Sequence, residues 1–172
     1  MNIYSVLQKL CACPSISGRE DNIRGLLSEL VLPYADEVRV DNLGNLIAKK
    51  CGEGQGSVML CAHMDEIGFL VTFIEDSGMV RIASIGGIDL TASSYTTVIS
   101  EKGVRGAIVP EGETKPADYK ADKFYIDIGA KNKKDAERRV AIGDFFVCEG
   151  EIQRLMGKRV CGRPLDDSIG CP

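Results

Sequence analysis

A chain of 172 residues is long enough to bury a core but short for two complete domains. Lys and Arg total 21 against 25 Asp and Glu, a formal net charge of -4, which excludes a basic surface for nucleic acid, and no apolar run reaches the length of a bilayer span. The 7 cysteines are odd in number and include no Cys-x-x-Cys pair, which argues against a disulfide framework or a four-cysteine zinc site; without a basic-then-apolar leader at its start, the chain is expected to be reduced and cytoplasmic.

The first elements are helical. Ile3, Val6, Leu7 and Leu10 recur at helical spacing and predict an amphipathic helix that Pro14 ends. Ser17-Gly18-Arg19-Glu20 has the form of a capping box, and Ile23, Leu26, Leu27 and Leu30 behind it predict a second helix, closed by Pro33. Residues 37–41 and 46–49 then read as two strands joined through Asn42-Leu43-Gly44-Asn45, residue types that tolerate a left-handed backbone.

Ser57-Val58-Met59-Leu60-Cys61-Ala62 reads as a short buried strand that delivers His63, the only histidine, and Asp65 to a sheet edge. Residues spaced i and i+2 on an extended backbone point to the same side. A neutral imidazole is a good zinc or cobalt ligand, and a carboxylate beside it either shares the metal or fixes the ring's other nitrogen. On residue types alone, a hydrogen-bonded histidine at a strand end remains the plainer alternative.

Beyond Gly68 the character changes. Residues 69–74, 79–84, 96–100, 104–109, 124–128 and 145–148 are short strand candidates separated by Gly-containing turns, a spacing that predicts a small closed or sandwiched β-domain. Only 133–140 has a helical pattern there. In the last segment Asp166 and Asp167 follow an apolar residue, as a helix cap and its first-turn acid do, or as a carboxylate shared between two metal ions does.

Ala62-His63-Met64-Asp65-Glu66-Ile67-Gly68-Phe69, Ile85-Gly86-Gly87, Tyr125 through Ala130, Gly143-Asp144, Gly157-Lys158 and Leu165 through Cys171 stand in an order that resembles the glutamyl, deblocking and tetrahedral aminopeptidases. These are two-metal exopeptidases whose members are sometimes labelled endoglucanase. The resemblance covers essentially the whole chain and implies an α/β fold: a discontinuous α/β metallopeptidase domain, incomplete here and formed by residues 1–66 and 164–172, interrupted by a β-barrel-like dimerisation domain at 67–163. It implies that His63 binds one metal, that Asp166 bridges two divalent ions, zinc or cobalt, and that Asp65 is the catalytic-site carboxylate orienting the histidine. Glu66 matches a position that is not a ligand in this reading. Ser168 departs from the pattern, since relatives usually carry arginine after the acidic pair.

The implied activity is release of N-terminal residues from peptides by a homo-oligomer, a dimer or a larger shell. Relatives continue for about as many residues again, and that half supplies a Glu-Glu pair holding the general base, a further aspartate and a second histidine. The segment alone is therefore expected to be inactive, and to associate through uncovered sheet edges. The alternative is a non-catalytic oligomerisation or binding module. Glycoside hydrolysis by Asp65 and Glu66 ranks last, because adjacent residues rarely place two carboxyls on opposite sides of one bond.

Overall fold

The computed structural model describes residues 2–171. They form two compact units: one runs to Asp65 and resumes at Glu151, and the other is Glu66–Gly150.

In the first unit, α1 (Ile3–Cys11) starts where the Asn2 side chain accepts a 3.0 Å hydrogen bond from the Tyr4 backbone N–H. It buries Val6, Leu7 and Leu10, the face its spacing predicts. The second helix, α2 (Asp21–Val31), passes into a 3-10 turn at Leu32–Tyr34. Val6, Leu10 and Ile23 form a core against which Leu26, Leu27, Leu30, Met64 and Cys171 pack. The capping box does not form: Glu20 is the N-cap of α2 and makes no side-chain cap bond, while Ser17 turns its hydroxyl to Asp65. A short polar side chain takes whichever acceptor tertiary structure brings near it.

The hairpin is as expected. Strands β1 (Glu37–Val40) and β2 (Leu46–Lys49) pair antiparallel, Glu37 opposite Lys49 and Val40 opposite Leu46. Asp41 Oδ1 accepts from the N–H groups of Leu43 and Asn45, both at 2.9 Å, and Gly44 supplies the positive φ of 88° that closes the turn.

The expected buried strand at 57–62 is not formed. This segment has no ladder partner among the described residues, and Val58, Met59 and Leu60 are 90%, 84% and 92% exposed. Apolar composition states a preference for burial, but a strand also needs a neighbour for its backbone N–H and C=O groups.

The second unit is a closed antiparallel barrel in the order β3-β4-β7-β6-β5-β8. Its strands are β3 (Gly68–Ile74), β4 (Val80–Ile85), β5 (Thr97–Ser100), β6 (Arg105–Pro110), β7 (Phe124–Asp127) and β8 (Phe145–Cys148), each at a place the sequence marks. Alternation of buried and less buried residues, as in Val80-Arg81-Ile82 and Phe124-Tyr125-Ile126, turns side chains of β4 and β7 into the interior, whereas β8 buries Phe145, Phe146 and Val147 in succession. Phe69, Val71, Val98, Ile108, Phe124, Ile126 and Phe146 are at most 1% exposed. Gly106 is where the wall is tightest: a Cβ there would lie 2.5 Å from Ile126 Cγ2 and 2.8 Å from the Asp127 carbonyl. One-turn helices α3 (Leu90–Ser93) and α4 (Lys133–Ala136) sit in the connections, α4 being the short remnant of the longer helix expected over 133–140.

Arg81 organises the polar outside of this barrel. Its Nε donates to Glu75 at 2.6 Å, its Nη2 to Glu111 at 2.8 Å, and its guanidinium lies 5.6 Å from the Tyr125 ring centre. The bond to Glu111, against a smaller desolvation cost, raises the Arg81 pKa, and the same contact lowers that of Glu111. A lowered folded-state carboxylate pKa contributes stability above the unfolded value and loses it as pH falls through the folded one. The stability difference between wild type and Glu111→Gln is therefore expected to be greatest near neutral pH and to vanish under acid conditions. Thermal melts of both proteins down through the carboxylate range test this; a difference that holds constant with pH would refute it.

The last described strands, β9 (Gln153–Arg154) and β10 (Val160–Cys161), form a small antiparallel hairpin in the first unit. Tyr4 ties it to α1, donating to the Ile152 carbonyl at 3.0 Å while Arg154 stacks 4.2 Å from its ring centre. Among the described residues no helix is long and apolar enough to cross a membrane.

Candidate active site

The first unit brings together two stretches that lie 103 positions apart in sequence, at His63 and Asp166. Met64 anchors the first by packing into the helical core, and its carbonyl accepts a 3.0 Å bond from the hydroxyl of Ser15, itself only 2% exposed. With Met64 held inward, the residues on either side face away from that core, as alternation along an extended backbone requires. The second stretch is held by its own turn, in which the Ile169 N–H donates to the Leu165 carbonyl at 3.2 Å and the Gly170 N–H to the Asp167 carbonyl at 2.8 Å. A Cβ at 170 would lie 2.7 and 2.8 Å from the Asp167 carboxylate oxygens and 3.0 Å from Ala62 Cβ, so the two stretches pass closely there.

The imidazole sits between two partners. His63 Nδ1 lies 3.0 Å from the Asp65 carbonyl oxygen and 3.4 Å from Asp65 Oδ1, and Nε2 lies 3.2 Å from Asp166 Oδ1. A carbonyl oxygen can only accept, so Nδ1–H donates to Asp65; Nε2 donates to the Asp166 carboxylate when the ring is protonated and has a free lone pair for a ligand when the ring is neutral. Burial opposes a charge on His63, but the Asp65 carbonyl and the carboxylates of Asp166 and Asp65 outweigh it and hold the imidazole pKa above its ordinary value. The side chain of His63 is 52% exposed and that of Asp166 is 97% exposed. Both donors are therefore open to solvent on the side where a ligand would enter.

All three residues singled out from the sequence meet here, but Asp65 does so in a way that sequence spacing alone misses. It reaches His63 chiefly through its backbone carbonyl, and its carboxylate is divided between Oδ1, near His63, and Oδ2, which accepts from Ser17. Ser17 was legible only as part of a helix cap, and nothing in the sequence singled out Ser15. Glu66 is buried at 6% exposure and Ser168 at 7%.

The donor chemistry fits a divalent metal in part. An imidazole nitrogen and a carboxylate oxygen bound to one tetrahedral ion lie about 3.4 Å apart, given bonds of about 2.0 to 2.2 Å, and His63 Nε2 and Asp166 Oδ1 are 3.2 Å apart. They would fill two positions of a coordination shell. Among the described residues no group of three or more histidine, cysteine, aspartate or glutamate side chains converges to complete it.

Comparison with known proteins decides the family, because the sequence pattern of the M42 glutamyl aminopeptidases matches residues 44–172. The chain belongs to that family. A provisionally named aminopeptidase of Acetivibrio thermocellus is 37% identical over 99% of this chain and 51% of its own length. Among solved structures, the aminopeptidase APDkam598 from the archaeon Desulfurococcus kamchatkensis superposes with a TM-score of 0.89 at 31% identity, over 98% of this chain and 49% of that one. The Pyrococcus horikoshii TET1 peptidase, described as assembling into a tetrahedron or a large octahedral shell, gives 0.84 at 36% identity over 99% and 53%. The chain thus spans about half the length of the M42 relatives it matches.

Proposed function

We propose that this chain is part of a metal-dependent aminopeptidase that removes N-terminal residues from peptides. The observation that carries the reading is the convergence of His63 Nε2 and Asp166 Oδ1 at ligand-to-ligand distance in a chain of the M42 family. His63, with its proton on Nδ1, offers Nε2 as one ligand; Asp166, with a second carboxylate oxygen unused by His63, has the capacity to bridge two ions; Asp65 holds the ring. Divalent zinc or cobalt suits an imidazole and carboxylate donor set. When bound, such ions supply Lewis acidity for the scissile carbonyl and a water of lowered pKa. The remaining ligands and the proton acceptor come from the part of the protein that the longer relatives contain in addition.

The exposed Asp166 carboxylate and the open face of His63 leave room for a peptide end to approach. An enzyme that takes the free amine as an anchor rejects a blocked one, because the acylated nitrogen loses both its lone pair and its charge. Assembly of several copies, as the Pyrococcus horikoshii TET1 peptidase does, is part of the same proposal.

The test uses the intact gene product and a panel of peptides with free or acetylated amino termini. Release of single N-terminal residues from the free peptides only, abolished by a chelator and restored by zinc or cobalt, is expected. Cleavage that survives exhaustive chelation, or that proceeds equally on acetylated peptides, would overturn the reading.

A further inference from the structure

The segment between α1 and α2, which the sequence marks only as a turn and a helix cap, lies against the candidate site. Ile16, at 1% exposure, and Ser15, at 2%, fix it in the first unit. From that anchored base two hydroxyls reach the His63 stretch in succession. Ser15 Oγ donates to the Met64 carbonyl at 3.0 Å, and Ser17 Oγ donates to Asp65 Oδ2. The other carboxylate oxygen, Oδ1, is the one that lies 3.4 Å from His63 Nδ1, and the same residue's carbonyl is 3.0 Å from that nitrogen.

We infer that Ser17, supported by Ser15, is a positioning residue that sets the orientation of Asp65 and through it the ring of His63; the inference rests on the metal-site reading of His63. An aspartate has only two side-chain torsions, and the second, which is broad and turns the carboxylate plane, decides where its two oxygens point once the first is set. Ser17 occupies one oxygen, so the other is left facing the imidazole. Without the hydroxyl the carboxylate is free to turn toward water, the ring keeps the Asp65 carbonyl but loses the nearby Oδ1, and the imidazole and its Nε2 are held less tightly in the orientation that faces Asp166. Ser17 is itself exposed, so its hydroxyl is not there to fill space. The brace also explains why the capping box fails: the serine that would close α2 is committed to Asp65, and the Gly18 N–H takes the Glu20 carboxylate at 2.7 Å instead.

Partners that orient a ligating histidine are worth roughly 10- to 100-fold in metal affinity, and a residue acting one step further out should fall near the lower end. In the intact protein, zinc affinity measured by competition with a chromophoric chelator is expected to fall about 10-fold in Ser17→Ala. Ser17→Thr, which keeps the hydroxyl, is expected to stay within about 2-fold of wild type. Nitrogen-15 spectra of the imidazole in the zinc-loaded proteins supply a second readout: a single Nδ1–H tautomer in wild type and in Ser17→Thr, and a broadened ring signal in Ser17→Ala. Wild-type affinity and a sharp ring signal in Ser17→Ala, with zinc binding lost in His63→Ala, would overturn the brace while leaving the metal site standing. Equal zinc binding by wild type and His63→Ala would overturn both.

Discussion

Replacing His63 by alanine in the intact protein is expected to remove tightly held metal and to lower kcat/KM for a free-amine peptide by about a thousandfold or more, since a Lewis-acid metal supplies several kcal/mol at the transition state and each 1.4 kcal/mol or so is a factor of about ten. Asp166→Ala should do the same, because the proposed site takes the two atoms 3.2 Å apart as ligands of one centre. Neither change should disturb folding. Both side chains are more than half exposed, so their removal opens no cavity and strands no buried partner, and melting should stay within about 0.5 kcal/mol of wild type. Asp65→Asn is the informative intermediate: the backbone carbonyl that holds His63 Nδ1 survives it, and the expected loss is about 10- to 100-fold. Retention of metal and activity in both His63→Ala and Asp166→Ala would remove the site from contention.

The largest effect on stability is expected in the barrel. Phe146 lies in β8, between Phe69 of β3 and Ser100 of β5, and has no solvent exposure. Truncation to alanine removes most of an aromatic side chain from an interior that closes on itself, so the neighbouring strands cannot move inward to refill the space. The expected cost is about 3–5 kcal/mol. Denaturant melts followed by circular dichroism should show the midpoint falling at unchanged slope. The exposed Ile142, truncated in the same way, should move it by less than about 0.5 kcal/mol. A shift below about 1 kcal/mol for Phe146→Ala would mean that the barrel interior is not packed as described.

Legibility in the sequence followed the range of the interactions involved. The six barrel strands were readable because each is a short apolar run set off by turn residues, and both signals are local. The hairpin of β1 and β2 was readable from Asn42-Leu43-Gly44-Asn45 for the same reason, although Asp41, read as the end of a strand, is the residue whose carboxylate holds the turn. Residues 57–62 misled, since apolar side chains mark a strand but say nothing of whether a neighbour stands beside it. Ser17 misled in the opposite sense: its local pattern was a cap, and an acid 48 positions away outcompeted the helix for its hydroxyl. At the site, His63 and Asp166 were found through the ordered motifs that resemble the M42 peptidases, and their 3.2 Å approach depends on a chain crossing that no spacing encodes.

The closure of the barrel bears on how that unit meets other molecules. Because β3 pairs with both β4 and β8, every strand in the ring has two neighbours, and the ring has no free edge strand of the kind an open sheet presents. A visitor finds no full-length edge on which to lay down one more strand. It can read only what projects from the wall and the rims, such as the Arg81 cluster, the half-exposed ring of Phe73 under Lys133, and the exposed Tyr95. Selectivity of contact here is thus written in side chains, and single surface substitutions can rewrite it without touching the ladder that holds the barrel together.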